Sequence, residues 1–151
     1  MTLDQAFEVM SRPVVATSSV LRTASGKGMS AYEAHAEAAM LLAWCERNLT
    51  TIEMAYARYR FGNDRSGFEL LIHYLASRLG TGFHYREVIG QVIMSYCGDG
   101  PGLRELRRLM GCGMLQAVKY RNGIYALLDG LHRQVRVKIS TRRLQSKPLL
   151  A

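Results

Sequence analysis

Three times between residues 30 and 69 a serine or threonine is followed, three positions on, by a glutamate: Ser30 and Glu33, Thr50 and Glu53, Ser66 and Glu69. At that spacing the hydroxyl accepts from a backbone N–H in the first helical turn, while the carboxylate reaches back to the N–H of the cap. Two groups that a helix start leaves open are thereby satisfied. Apolar residues then recur three and four apart. The first of these helices places Ala31, Ala34, Ala38, Leu41, Leu42, Cys45 and Leu49 on one face, and its alanines permit close helix approach. The second begins at Thr50, with Leu49 and Met54 as a hydrophobic staple, and is expected to end with Gly62 as a left-handed cap. The third runs to about Leu79 and stops at Gly80. A fourth, over 84–97, aligns Tyr85, Val88, Ile89, Val92, Ile93 and Tyr96 as a core stripe. Ahead of them all, a short amphipathic piece at Leu3–Ser11 stops before Pro13, because the residue preceding a proline resists helix. The chain is expected to be all-α.

The strongest breaker is Cys97-Gly-Asp-Gly-Pro-Gly102. Beyond it Leu103, Leu106, Leu109 and Met110 mark a short helix ending at Gly111. A longer helix follows from Met114, with Ala117, Tyr120, Ile124, Leu127, Leu128 and Leu131 inward. Gly123 and Gly130 interrupt it, each at a cost of about 1 kcal/mol relative to alanine, which predicts a bend or a close contact. Val135-Arg-Val-Lys-Ile139 alternates with period two and is read as frayed helix or tail rather than strand. Residues 16–30 read as a linker.

Charge follows the same boundary. The 151 residues carry a net +8. Residues 1–100 hold nine Lys and Arg against ten Asp and Glu, whereas residues 101–151 hold eleven against two. A near-neutral platform thus precedes a cationic end, the electrostatic footprint of a polyanion binder. No apolar run approaches the about 18 residues needed to span a bilayer, so no membrane partner is expected, and the acidic start does not read as a signal peptide. Cys45, Cys97 and Cys112 lack metal-ligand or disulfide spacing, and His35, His73, His84 and His132 are scattered. No cofactor and no metal are expected, and the cysteines read as reduced and buried.

Within the cationic third, a short helix, a glycine turn and a second helix suggest a helix-turn-helix, in which the first helix braces the second against the major groove. Gly111 sits at the turn. Leu106, Met110, Cys112, Ala117 and Tyr120 take the packing positions. Lys119 and Asn122 fall on the outer face, flanked by Gln116 and Arg121. Asn and Gln pair bidentately with adenine, and Lys and Arg serve guanine or phosphate. Arg104, Arg107 and Arg108 on the first helix would hold the backbone of double-stranded DNA. Two features depart from the pattern. Position 107 normally carries a small residue, and Met114, Leu115 and Val118 stand where polar base contacts are expected. An ordinary helical hairpin, or a motif that contacts protein, therefore stays open.

Thr50-Thr-Ile-Glu-Met-Ala-Tyr-Ala-Arg-Tyr-Arg-Phe-Gly62 resembles the first helices of region 4 of bacterial sigma factors, and 103–131 is similar to that region's helix-turn-helix and following helix. Between them lies an insertion over 63–101. A small helical chain of this plan resembles the Q-type late-gene antitermination proteins of lambdoid phages, across residues 31–139. That resemblance implies a cytoplasmic protein of the bacterial host cell. It would bind an element of a late promoter, engage RNA polymerase still carrying its sigma factor, and let it read through terminators. The DNA role then falls on Gln116, Lys119, Arg121 and Asn122, with Arg104, Arg107 and Arg108 on phosphates. The 63–101 insertion and the 1–30 arm are left for polymerase. The paired cysteines of the zinc-bearing members are absent here.

The expected organisation is an arm or linker at 1–30, a helical DNA-binding domain at 31–139 and a basic tail at 140–151. The domain contains the inserted hairpin (about 63–101) and the helix-turn-helix (about 103–131). No phosphate-loop, serine-elbow or HExxH motif is present, so neither enzymatic activity nor a small-molecule substrate is expected. Glu69 with His73 is the nearest fragment of a metal or acid–base site. Other helix-turn-helix proteins remain as alternatives: a transcriptional repressor or activator, or a small terminase-type packaging subunit. A monomer would favour the antiterminator, a dimer the repressor and a large ring the packaging subunit.

Overall fold

Side-chain capping opens the first three helices in the computed structural model, which describes residues 1–12, 30–80 and 86–146. Among these, seven helices and no strand are present, a small all-α domain. Helix α1 is Leu3–Ser11, α2 Ala31–Asn48, α3 Thr51–Gly62, α4 Phe68–Leu79, α5 Arg86–Tyr96, α6 Leu103–Met110 and α7 Met114–Ser146. The boxes Ser30/Glu33 and Thr50/Glu53 both form, with both hydrogen bonds in place. A further box, Thr2 with Gln5, opens α1. The third expected box does not form. Asp64 accepts from the Ser66 N–H, and α4 starts at Phe68 behind Gly67, which offers no side chain to cap with. The α3 ending also differs. Gly62 is the last helical residue and Asn63 takes the left-handed cap at φ 50. Gly62 is small for another reason: a Cβ there would lie 2.7 Å from the Phe7 ring, so its bareness admits α1.

Helix α1 belongs to the core, which corrects the arm expected at 1–30 for its first twelve residues. Leu3 and Ala6 are buried, α1 packs on α2 and α3, and the Met1 ammonium lies 3.8 Å from a Glu37 carboxylate oxygen. Apolar spacing too short to mark a domain on its own suffices once a neighbouring surface exists to bury it. The linker reading for 16–30, like the first residues of the fourth helix with Tyr85, lies largely outside the described residues.

Helix α7 is the spine. At about 1.5 Å per residue it extends roughly 50 Å, and α3, α4, α5 and α6 all pack along it. Its inward residues Ala117, Ile124, Leu128, Leu131, Val135 and Ile139 are buried. The frayed helix or tail read from 135 onward is therefore corrected: the helix continues through Ser146, and of the 140–151 tail residues 140–146 are helical. Val135 and Ile139 are four apart and extend the 124–128–131 face. The helix breaks the alternation: Val135 and Ile139 face inward, and Val137, two residues from each, is left exposed on the other side. Gly123 meets a close neighbour, Leu79 Cδ2 at 3.5 Å from a Cβ placed there, while Gly130 faces open space.

Polar contacts bind α7 to α3. Glu53 is 3% exposed, and its Oε1 accepts from both the Thr50 N–H (2.9 Å) and Lys138 Nζ (2.6 Å). Burial works against its charge, yet the Lys138 and Thr50 hydrogen bonds prevail and hold the carboxyl below its ordinary value. A 2.8 Å hydrogen bond joins the Tyr56 hydroxyl to His132 Nδ1. Burial first, then the charges of Arg136 and Arg60, lower the His132 pKa against the opposing pull of Asp129.

Candidate nucleic-acid interface

The last two helices meet through a three-residue turn, Gly111-Cys112-Gly113. Gly111 sits at φ 64 and donates its N–H to the Arg107 and Arg108 carbonyls, closing α6 in the left-handed conformation that glycine adopts without penalty. Gly113 offers its carbonyl to the Ala117 N–H and starts α7. Leu106 and Ala117, at 1% and 0% exposure, pack inward, while Met110, Cys112 and Tyr120 are half-buried. Of the five expected packing positions two are thus buried and three half-buried, and α5 packs against α6.

On the outer side Arg104, Arg107 and Arg108 are all exposed. Together with Gly111, Cys112 and Met114 they line an open groove of about 460 Å³. Arg108 is held by Glu105 at 2.6 Å. Arg104 and Arg107 make no ion pair or hydrogen bond among the described residues. Arginine is accepted at position 107 because α6 meets the core through Leu106 and Met110, on the side away from it. On α7, Gln116, Lys119 and Asn122 are exposed, with Lys119 and Asn122 on one face and Lys119 unpaired among the described residues.

Arg121 is placed differently. It is half-buried, its guanidinium lies 5.5 Å from the centre of the Tyr125 ring, and it donates to Asn122 Oδ1 at 3.3 Å. The Tyr125 ring packs edge-on against Tyr96, whose hydroxyl donates to Asp129 at 2.6 Å. Burial, then the Asp129 carboxylate, pushes that phenol up to about 12. Arg121 thus helps seat α7 on α5, and the Asn122 amide N–H groups donate to nothing among the described residues. Apolar side chains share this end. Leu115 is 84% exposed, and Leu109 and Met114 are partly so.

The remaining chemistry is spread out. Glu69 pairs with Arg86 at 2.7 Å instead of with His73, which is exposed. The cysteines are free, and burial raises Cys45 and Cys97 to about 11, away from thiolate chemistry. No group of three or more His, Cys, Asp or Glu side chains converges among the described residues. No helix there is long and apolar enough to cross a membrane.

Sequence reasoning missed the distal half of α7, where Arg133 and Arg136 stand exposed and without a hydrogen-bond or ion-pair partner among the described residues. The signal was available in the three-and-four spacing of Leu128, Leu131, Val135 and Ile139. No known protein family, curated protein or solved structure matches this chain.

Proposed function

We propose that this chain is a sequence-specific DNA-binding protein that reads duplex DNA with α6 and the start of α7. On its resemblance to the Q-type antitermination proteins, we further propose that it acts on RNA polymerase at a late promoter to allow readthrough of terminators. One observation carries the DNA reading. Arg104, Arg107 and Lys119 stand exposed and without partners among the described residues, around one helix pair whose opposite side is buried, in the part of the chain that holds the whole charge surplus. Unpaired cations release counterions from phosphate without first breaking a bond within the protein. Asn122 and Gln116 supply the groups that distinguish bases, and Leu115 can meet a thymine methyl.

Selection from a random duplex pool, followed by competition binding, tests this reading. Lys119→Ala with Asn122→Ala should abolish preference for the selected site and leave weaker general binding. Arg107→Ala should weaken all duplexes alike and reduce the salt slope by about one unit. A wild-type chain that binds no duplex refutes the DNA reading. A template with the selected element at its promoter and a terminator downstream tests the polymerase step, and absence of readthrough refutes it.

A second reading rests on the exposed Leu115 with Leu109 and Met114. On that reading the helix pair docks on protein. Leu115→Ser would then abolish partner capture, whereas on the DNA reading it costs discrimination at one thymine.

A further inference from the structure

The solvent face of α7 does not end with the residues assigned to DNA. Steps of three and four from Lys119 lead through Asn122 and Ala126 to Asp129, Arg133, Arg136, Ser140 and Leu144, all exposed. Along its distal part runs an open groove of about 530 Å³ that also takes in Val137 and Thr141. Two apolar side chains stand out in it, Val137 at 58% and Leu144 at 69% exposure. Arg133 and Arg136 are unengaged among the described residues. The cations on the other sides of this stretch are in use: Lys138 with Glu53, Arg142 over the Trp44 ring, and Arg143 donating to the Met1 carbonyl.

Distance separates this face from the proposed reading head. Fourteen residues part Lys119 from Arg133, or about 21 Å along the axis. A duplex with the first turns of α7 in its roughly 12 Å major groove curves away from the helix over that length. The groove therefore calls for a different occupant, and its charge says which kind. The groove itself is lined by two arginines, Arg133 and Arg136, against one carboxylate, Asp129, which the Tyr96 hydroxyl already engages, so its uncommitted charge is positive. A second copy of the same face would set arginine against arginine, which disfavours self-pairing. A nucleic-acid backbone would engage the arginines but leave Val137 and Leu144 in water.

We infer that the distal outer face of α7, Arg133, Arg136, Val137 and Leu144, is a docking surface for an acidic amphipathic helix of a protein partner. Apolar anchors of that helix would lie on Val137 and Leu144, with its carboxylates on the two arginines. This is the helix-against-helix mode in which side chains three and four residues apart interlock. The surface is separate from the α6–α7 turn and does not require that turn to bind DNA.

The probe is a labelled synthetic helix with leucines three and four residues apart flanked by glutamates. A peptide of identical composition with the leucine spacing scrambled serves as control, and both are titrated with the full chain by fluorescence anisotropy. The patterned peptide should bind, and the scrambled one at least about tenfold more weakly. Arg133→Glu with Arg136→Glu should weaken binding by about tenfold or more, and Val137→Ser with Leu144→Ser by a similar factor. Arg133→Gln with Arg136→Gln gives a milder pair, and far-UV circular dichroism checks that each variant keeps its helices. No binding of the patterned peptide to the wild-type chain, equal binding of both peptides, or variants that bind as tightly as wild type would overturn the inference. So would loss of duplex binding by the Arg133/Arg136 variants to the extent seen for Arg104→Ala with Arg107→Ala, which would make the face a nucleic-acid contact. A dimer that Val137→Ser with Leu144→Ser dissolves would assign the face to a second copy. Failure of the wild-type chain to bind any duplex bears on the DNA reading alone and leaves the peptide result standing.

Discussion

Replacing Lys138 by alanine strips the ammonium from a carboxylate that is buried in the folded chain. Glu53 is 3% exposed and holds two hydrogen bonds through one oxygen, so removing Lys138 leaves a buried charge with only the Thr50 N–H. Breaking a buried pair by removing one partner typically costs about 3–5 kcal/mol. The Lys138 side chain is itself 37% exposed, so water moves in to solvate part of the abandoned oxygen, and about 2 kcal/mol is the expected loss. For a domain of this size that lowers Tm by about 4–8 °C. Glu53→Gln keeps an acceptor for Thr50 and removes the charge, so the double variant should recover about 1 kcal/mol relative to the sum of the singles. The sign of the pH dependence follows from the lowered Glu53 pKa. A carboxyl whose folded value is depressed contributes stability above its unfolded value, 4.5, and loses it as pH falls through the folded one. The difference between wild type and Lys138→Ala should therefore be full at pH 7 and shrink below pH 4.5. Urea unfolding followed by circular dichroism at several pH values measures both effects. A Lys138→Ala variant within about 0.5 kcal/mol of wild type at pH 7, with a difference that does not change on acidification, would mean that α7 does not dock on α3 through this pair.

Four more perturbations separate space, strain and titration. Gly130→Ala adds a Cβ with no neighbour within 4 Å in a helix interior and should stabilise the chain by about 0.5–1 kcal/mol in urea unfolding. Gly67→Ala places a Cβ 2.6 Å from that of Ala55, where α4 starts against α3, and should cost about 1–3 kcal/mol by the same measurement. Gly111→Ala meets nothing in space and pays only for φ 64, so it should cost about 1–2 kcal/mol while leaving the α6–α7 turn in place, as helix content by circular dichroism would show. His132 is held neutral chiefly by burial, so its contribution is complete above its unfolded value of 6.5 and declines as pH falls below it. His132→Gln should remove that dependence between pH 7.5 and 5.5, a window well above the one set by Glu53.

The turn between α6 and α7 was legible in the sequence for local reasons. Gly111 between two apolar helices, with Leu106 and Ala117 at packing positions, specifies a turn before any tertiary contact exists. The misreadings came where two local signals competed. Ser66 with Glu69 has capping-box spacing, but Asp64 reaches the Ser66 N–H and Glu69 pairs with Arg86, a partner seventeen residues away. Arg121 looked like an outward reader by spacing alone. Its stacking on Tyr125 is an i, i+4 contact within α7, but the packing of Tyr125 against Tyr96 of α5, which half-buries that side of the helix, is something no periodicity in α7 reports.

By itself the sequence determined the all-α class, the positions of most helix starts and stops, and the concentration of positive charge after residue 101. These are local properties: backbone N–H groups seek the nearest acceptor, glycine alone enters left-handed conformations freely, and charge is a count. Only the tertiary structure decided that α1 joins the core and that α7 runs on to Ser146. The same contacts decided which cations are engaged inside the fold and which stay exposed and unengaged among the described residues. Each of those outcomes depends on a surface supplied by distant parts of the chain. Leu3 is buried where α1 packs on α2 and α3, Val135 and Ile139 lie on the inward face of α7, and Lys138 is bound because Glu53 waits beneath it. Burial of a marginal segment is worth its entropy only when a complementary face is already there.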